Sequence, residues 1–156
     1  MLLDDPLATS LINCRMEYPP LSLSILPYRL AVCRLEKDAP IPLWAIEDTF
    51  FSITRTMDEL SIVCSEANVP GDVRSEKEWS ALKVNGPLDF ALTGILASLA
   101  GPLASAGISI FAISTFDTDY ILVKSRDLAE TVAVLESFCD IQPRDYSGRT
   151  QPPILS

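Results

Sequence analysis

Leu21, Leu23 and Ile25 alternate with serines and run into Leu26. An apolar residue at every second position predicts a strand with one buried face. Leu30–Leu35 reads as a second strand beyond Pro27, and 36–42 as a loop by its two prolines and its charges. Leu43–Thr49 is short and weakly helical, with Leu43, Trp44 and Ile46 able to bury. Phe50–Thr54 and Leu60–Cys64 read as strands around a polar turn, Arg55–Glu59. Ser65–Glu78 carries Pro70–Gly71 and several charges, so it reads as a loop and as the boundary between two halves.

The second half opens with a strand, Trp79–Val84, punctuated by Asn85–Gly86–Pro87, and a short strand is expected at Phe90–Leu92. Ile95, Leu96, Leu99, Leu103 and Ala106 then fall at helical spacing. Thr93 is the expected N-cap and Gly107 the expected left-handed residue past the C-terminus. Gly101–Pro102 should bend or break this helix, because an interior proline costs about 3 kcal/mol. Phe111–Ile113 and Tyr120–Val123 are strands joined by a turn, Ser114–Asp119, that holds a large aromatic, Phe116, among hydroxyls and carboxylates. Asp127 and Glu130 have the spacing of a helix start, with Leu128, Val132, Leu135 and Cys139 on one face of the helix that follows. Asp140–Gln142 is an expected edge strand, as is Leu11–Met16 in the otherwise mixed residues 1–20, and 143–156 reads as a tail.

Composition narrows the function classes. The chain has 156 residues, 48% of them hydrophobic, with a mean hydropathy of +0.25, which suffices for a buried core and argues against disorder. No apolar run approaches the roughly 18–20 residues that span a bilayer, and MLLDDP lacks the basic start of a secretory leader, so a cytoplasmic location and no membrane partner are expected. A net charge of −9 disfavours nucleic acid, whose phosphates need a basic stripe. The four cysteines show no close pair and the chain has no histidine. That excludes mixed Cys/His zinc sites and histidine-dependent triads, and free buried thiols are the expectation. An enzyme would have to use carboxylates such as Asp89, Asp117 and Asp119, but acids in one turn are more often solvated. No catalytic residue, metal or cofactor is assigned.

Sliding the chain by 60 residues aligns 21–65 with 81–125 without a gap. Pro27 meets Pro87, Pro42–Leu43 meets Pro102–Leu103, Phe51 meets Phe111, Ile53 meets Ile113 and Val63 meets Val123. The expected architecture is α+β: two copies of a βαββαβ unit, the first degenerate because its second helix lacks apolar periodicity. The expected limits are 1–20 for an N-terminal segment, 21–78 and 79–142 for the units, and 143–156 for the tail. In this register Arg55 stands opposite Thr115.

The stretch GPLDFALTGILASLAGPLASAGISIFAISTFDTDYILV (86–123) resembles the ACT domain, in the subfamily that also builds the CASTOR arginine sensors. FFSITRTMDELSIVC (50–64) is similar to that subfamily's first-domain signature. The resemblance implies two tandem ferredoxin-like ACT domains, a regulatory role, a small-molecule amino acid as ligand at a domain interface, and a homodimer. A ligand-free module that only contacts a protein partner is the alternative. It further implies a site made of Thr93, Gly94 and Ile95 at the helix entry with Ser114, Thr115, Phe116, Asp117 and Asp119 on the hairpin. Gly94 would let a carboxylate approach backbone N–H groups, and Asp119 would take an ammonium or a basic side chain.

Overall fold

The computed structural model describes residues 20–86, 88–89 and 93–143. The strands expected at Leu11–Met16 and Phe90–Leu92, and the tail from 144, lie outside these residues. Among the described residues eight strands form one mixed sheet. They are β1 (Leu21–Ile25), β2 (Leu30–Leu35), β3 (Phe51–Arg55), β4 (Leu60–Ser65), β5 (Ser75–Val84), β6 (Ile110–Ser114), β7 (Asp119–Lys124) and β8 (Cys139–Pro143). The helices are α1 (Ile95–Ser105) and α2 (Leu128–Leu135). Short 3-10 turns occupy Leu43–Ala45, Glu66–Asn68 and Ser125–Asp127.

β5 belongs to both halves of the sheet. Its first half pairs with β2, extending the order β3-β4-β2-β5. Its second half lies between β7 and β1, in the order β6-β7-β5-β1-β8. The partner changes at a bulge. Leu30 opposes Trp79 and Val32 opposes Glu76, so β5 carries one extra residue. Glu78 takes a left-handed φ of 63° there, rare for a residue with a Cβ. Bulges bend and twist a strand. The Glu66 carboxylate receives the Glu78 N–H at 2.7 Å, so the kinked backbone keeps a partner. The expected loop over Ser65–Glu78 therefore ends four residues early, at Arg74. Glu76, Lys77 and Glu78 are exposed, and their charges conceal the strand start.

Both halves follow one element order. The second runs from β5 through α1, β6, β7 and α2 to β8. In the first, β2, β3, β4 and the start of β5 are joined by 3-10 turns where the second has helices. The weak helicity of Leu43–Thr49 is realised only as that turn. β1, read from the sequence as the opening of the first half, pairs with β5 antiparallel and with β8 parallel.

The two hairpins fix the register between the copies. Arg55 pairs with Leu60 at the end of β3–β4, and Ser114 pairs with Asp119 at the end of β6–β7. The structural shift is therefore 59 residues, not 60. A slip of one residue sends every side chain to the other face. Val63 packs with Leu26, Leu30 and Trp79 on the face away from the helices, whereas Val123 lies beneath α1 and α2. At 59, Ile62 meets Ile121 and Val63 meets Leu122, each pair on one face.

The main core lies between the sheet and the helices, where Ile95, Leu99 and Leu103 of α1 and Leu135 of α2 meet Leu23, Leu82, Val84, Ile121 and Val123. α1 runs unbroken through Pro102. Gly107 closes it at φ 75°, with Ile108 N–H donating to Leu103 O at 2.9 Å, as read from the sequence. Asp127 makes no side-chain cap, so the expected capping pair does not form. α2 stops at Leu135, and Cys139 belongs to β8 instead.

Candidate functional site

The β6–β7 turn is built by its own side chains. Thr115 N–H donates to Thr118 O at 2.8 Å. The Thr115 hydroxyl donates to the same carbonyl at 3.0 Å and accepts from Thr118 N–H at 3.2 Å. A threonine that closes its turn in this way spares the turn any need for glycine. Ser114 donates to the Asp119 carboxylate at 2.5 Å across the last strand pair. Thr118 is buried, and its hydroxyl donates to Val84 O, which fastens the turn to the end of β5.

The segment after β5 meets the turn from the other side. Leu88 N–H donates to Asp117 O at 2.7 Å. Gly86 permits this approach, since a Cβ there would meet Leu88 N at 2.7 Å and Asp117 O at 3.2 Å. α1 then begins at Gly94, which has φ 79° and caps the helix without any side-chain hydrogen bond. Thr93, the expected cap, is exposed and does not cap. The left-handed backbone of Gly94 turns the chain into the helix in its place, a conformation open to glycine at no steric cost.

These pieces enclose one cleft of about 300 Å³. Gly94, Ile95, Ser114, Thr115, Phe116, Asp117 and Asp119 all line it, together with Leu88, Asp89, Leu96 and Thr118. Of the residues singled out in the sequence, Thr93 alone is absent from the lining. Leu88 carries no periodic signal and is not among the residues the sequence singles out, and Asp89 enters there only as a candidate acid. Thr118 is not among the hairpin residues the resemblance implies, although its hydroxyl fastens the turn. Phe116 does not fold back onto the core, for it is 80% exposed at the rim.

The chemistry of the lining is one-sided. Asp89, Asp117 and Asp119 contribute carboxylates, and no lysine or arginine is among the described residues that line the cleft. The first-turn N–H groups of α1 lie at its other end, where a helix start favours an anionic group. Such a cleft suits a zwitterion with a cationic extension. Among the described residues no cluster of His, Cys, Asp or Glu has the arrangement of a metal site, and no helix is long and apolar enough to cross a membrane.

A family model described as ACT domain matches residues 74–137, and a second, described as an N-terminal domain, matches residues 29–72. The human cytosolic arginine sensor for mTORC1 subunit 1 is 35% identical over 96 residues, covering 56% of this chain and 29% of that protein. This chain thus matches less than a third of that relative's length. A crystallised protein of Agrobacterium tumefaciens is 41% identical and superposes with a TM-score of 0.78, covering 85% of this chain and all of that one. The ligand-free regulatory subunit of aspartate kinase from Thermus thermophilus has a TM-score of 0.53 at 7% identity, covering 78% of this chain and 99% of its own, and shares the fold alone.

Proposed function

The chain belongs to the ACT-domain family, and on that premise we propose that it is a non-catalytic regulatory module that binds an amino acid in the cleft between the β6–β7 turn and the start of α1. The observation that carries this reading is the meeting of Gly94–Leu96 with Ser114–Asp119 around one cleft whose charged lining groups, among the described residues, are all carboxylates. The ligand's α-carboxylate sits at the first-turn N–H groups of α1, which Gly94 leaves open to close approach. Its cationic groups face Asp119, with Asp89 and Asp117 adding to the same field. Phe116 covers the ligand from the rim. An amino acid with a basic side chain fits this charge pattern best, in keeping with the name of the human relative.

A homodimer is part of the proposal. Among the described residues β3 and β6 are edge strands with no partner on one side, and a second copy would cover one of them. The two units meet within β5, and the module works in the cytoplasm, where the named relative acts.

Calorimetry and thermal shift against each protein amino acid test the reading. A ligand at 100 times its dissociation constant stabilises by about 2.7 kcal/mol. Flat responses to all of them at millimolar concentration would sink it. In that case the ligand-free interaction module takes over, supported by the apolar tips of the two hairpins: Met57 is 82% exposed and Phe116 80%.

A further inference from the structure

The two hairpins end alike and differ at their bases. Thr56 repeats the turn closure of Thr115: its N–H donates to Glu59 O at 2.9 Å, and its hydroxyl accepts from Glu59 N–H at 3.2 Å and Asp58 N–H at 3.1 Å. Met57 then matches Phe116, and Asp58 matches Asp117. At the base, Arg55 stands where the second hairpin has Ser114, and buried Leu60 stands where it has Asp119.

The Arg55 guanidinium spans from the hairpin to the loop after β2. It donates to Lys37 O and, at 2.7 Å, to Ala39 O. That loop corresponds to the segment after β5. Leu30 and Trp79 occupy the same register position opposite β4 and β7, so residues 37 and 39 correspond to Gly86 and Leu88. In the second unit this segment and the hairpin are the walls of the cleft. In the first unit a guanidinium joins the same two walls.

We propose that Arg55 is a built-in occupant of the first unit's counterpart of the cleft, holding by its guanidinium the place left open in the second unit. The chain therefore presents one open site and one that is filled by its own side chain. Two backbone carbonyls and no carboxylate receive the cation there. Leu60 removes the carboxylate that would otherwise attract an external ligand. The count of one ligand per chain rests on the amino-acid-binding reading; the occupancy of the first site by Arg55 does not.

The test is chemical rescue on the full chain without any amino acid present. Arg55→Ala vacates the place, and ethylguanidinium at millimolar concentration is the probe. Arg55→Ala is expected to melt lower than the parent, and ethylguanidinium is expected to restore at least half of the loss. The parent should not respond, and ethylammonium at the same concentration should restore nothing, since it lacks the planar fork that reaches two carbonyls. A loss without rescue, equal rescue by ethylammonium, or no loss at all overturns the proposal. Should Arg55→Ala fail to fold, amide exchange of Arg55→Lys gives a second reading. Faster exchange confined to Lys37–Ala39 and the β3–β4 turn supports the proposal, and unchanged exchange there overturns it. Rescue with no amino acid bound by the parent would leave the filled site standing and remove only the open one's ligand.

Discussion

Replacing Gly94 by alanine tests the geometry on which the cleft depends. Gly94 has φ 79° and ψ 2°, in the left-handed region. An L-residue pays roughly 1–2 kcal/mol to sit there. No side chain caps the helix at this end, so nothing else is lost with the substitution. For a chain of about this length each kcal/mol moves the melting temperature by about 2–4 °C. Gly94→Ala should therefore melt about 2–8 °C below the parent by circular dichroism. Gly94→Asn should recover a large part of that loss, because asparagine tolerates the left-handed region. Thr93→Ala is the control that separates the two candidate caps. Were Thr93 the cap, its loss would cost about 0.5–2 kcal/mol. Exposed and without a capping bond, it should instead change stability by no more than about 0.5 kcal/mol. The same variant reports on the site: strain relieved by rotating Gly94 would swing the first-turn N–H groups, so Gly94→Ala should weaken ligand binding while Thr93→Ala should not. A neutral Gly94→Ala paired with a destabilising Thr93→Ala would refute both the conformation and the assignment of the cap.

Asp119→Asn keeps the shape and the Ser114 contact but removes the charge. It should cost a basic amino acid at least tenfold in affinity by calorimetry, with an unchanged melting temperature, and equal affinities would remove Asp119 from the site. Phe116→Ala should leave stability within about 0.5 kcal/mol, since the ring is largely exposed, yet raise the ligand's dissociation rate in stopped flow; a stability loss of core size would show that the ring packs inward. Leu99→Ala removes a fully buried side chain from the main core and should cost about 2–5 kcal/mol in urea unfolding. Burial pushes the Cys139 thiol from 9.0 up to about 11. The thiol is neutral in both states below pH 9, and the unfolded chain ionises first above it. Stability should therefore be at its full value below pH 9 and fall as the pH rises towards 11, a fall that Cys139→Ala should lessen.

What was legible in the sequence was what short-range physics fixes. The β6–β7 hairpin, the glycine past α1 and the apolar stripe of Ile95, Leu99 and Leu103 each follow from local pattern, and the structure has them. The misses have long-range causes. The start of β5 is hidden by exposed charges because its pairing with β2, and not its composition, makes it a strand. β1 joins the far half of the sheet through partners more than fifty residues away, which no window on the chain can see. Thr93 looked like a cap by residue type, but the cap position is decided by the backbone of the next residue. The cleft was legible on its hairpin side and not at Leu88, which reaches it because its N–H bonds the turn.

The most consequential error is a single residue. Identities such as Val63 with Val123 favour a shift of 60, and strand pairing requires 59. Apolar residues occur on both faces of these strands, so β-branched matches accumulate in either register and cannot choose between them. The polar turn can choose. Thr56 and Thr115 make the same closure, and that places them at one position whatever the strands suggest. Under the slipped register Arg55 faces Thr115, and the first unit lacks a hydroxyl there. Under the correct one it keeps the hydroxyl and gains a guanidinium in place of Ser114, with Leu60 in place of Asp119. The difference between the units is then one of charge at the base of the hairpin, not of polarity at its tip. An open site needs Asp119, a small neighbour and the start of α1, and a filled one needs Arg55 and no competing carboxylate. Only a three-residue 3-10 turn stands in the first unit where α1 begins in the second. Arg55→Ser should therefore free the place yet leave the count at one ligand per chain by calorimetry, and a second ligand would show that the α1 start is not needed.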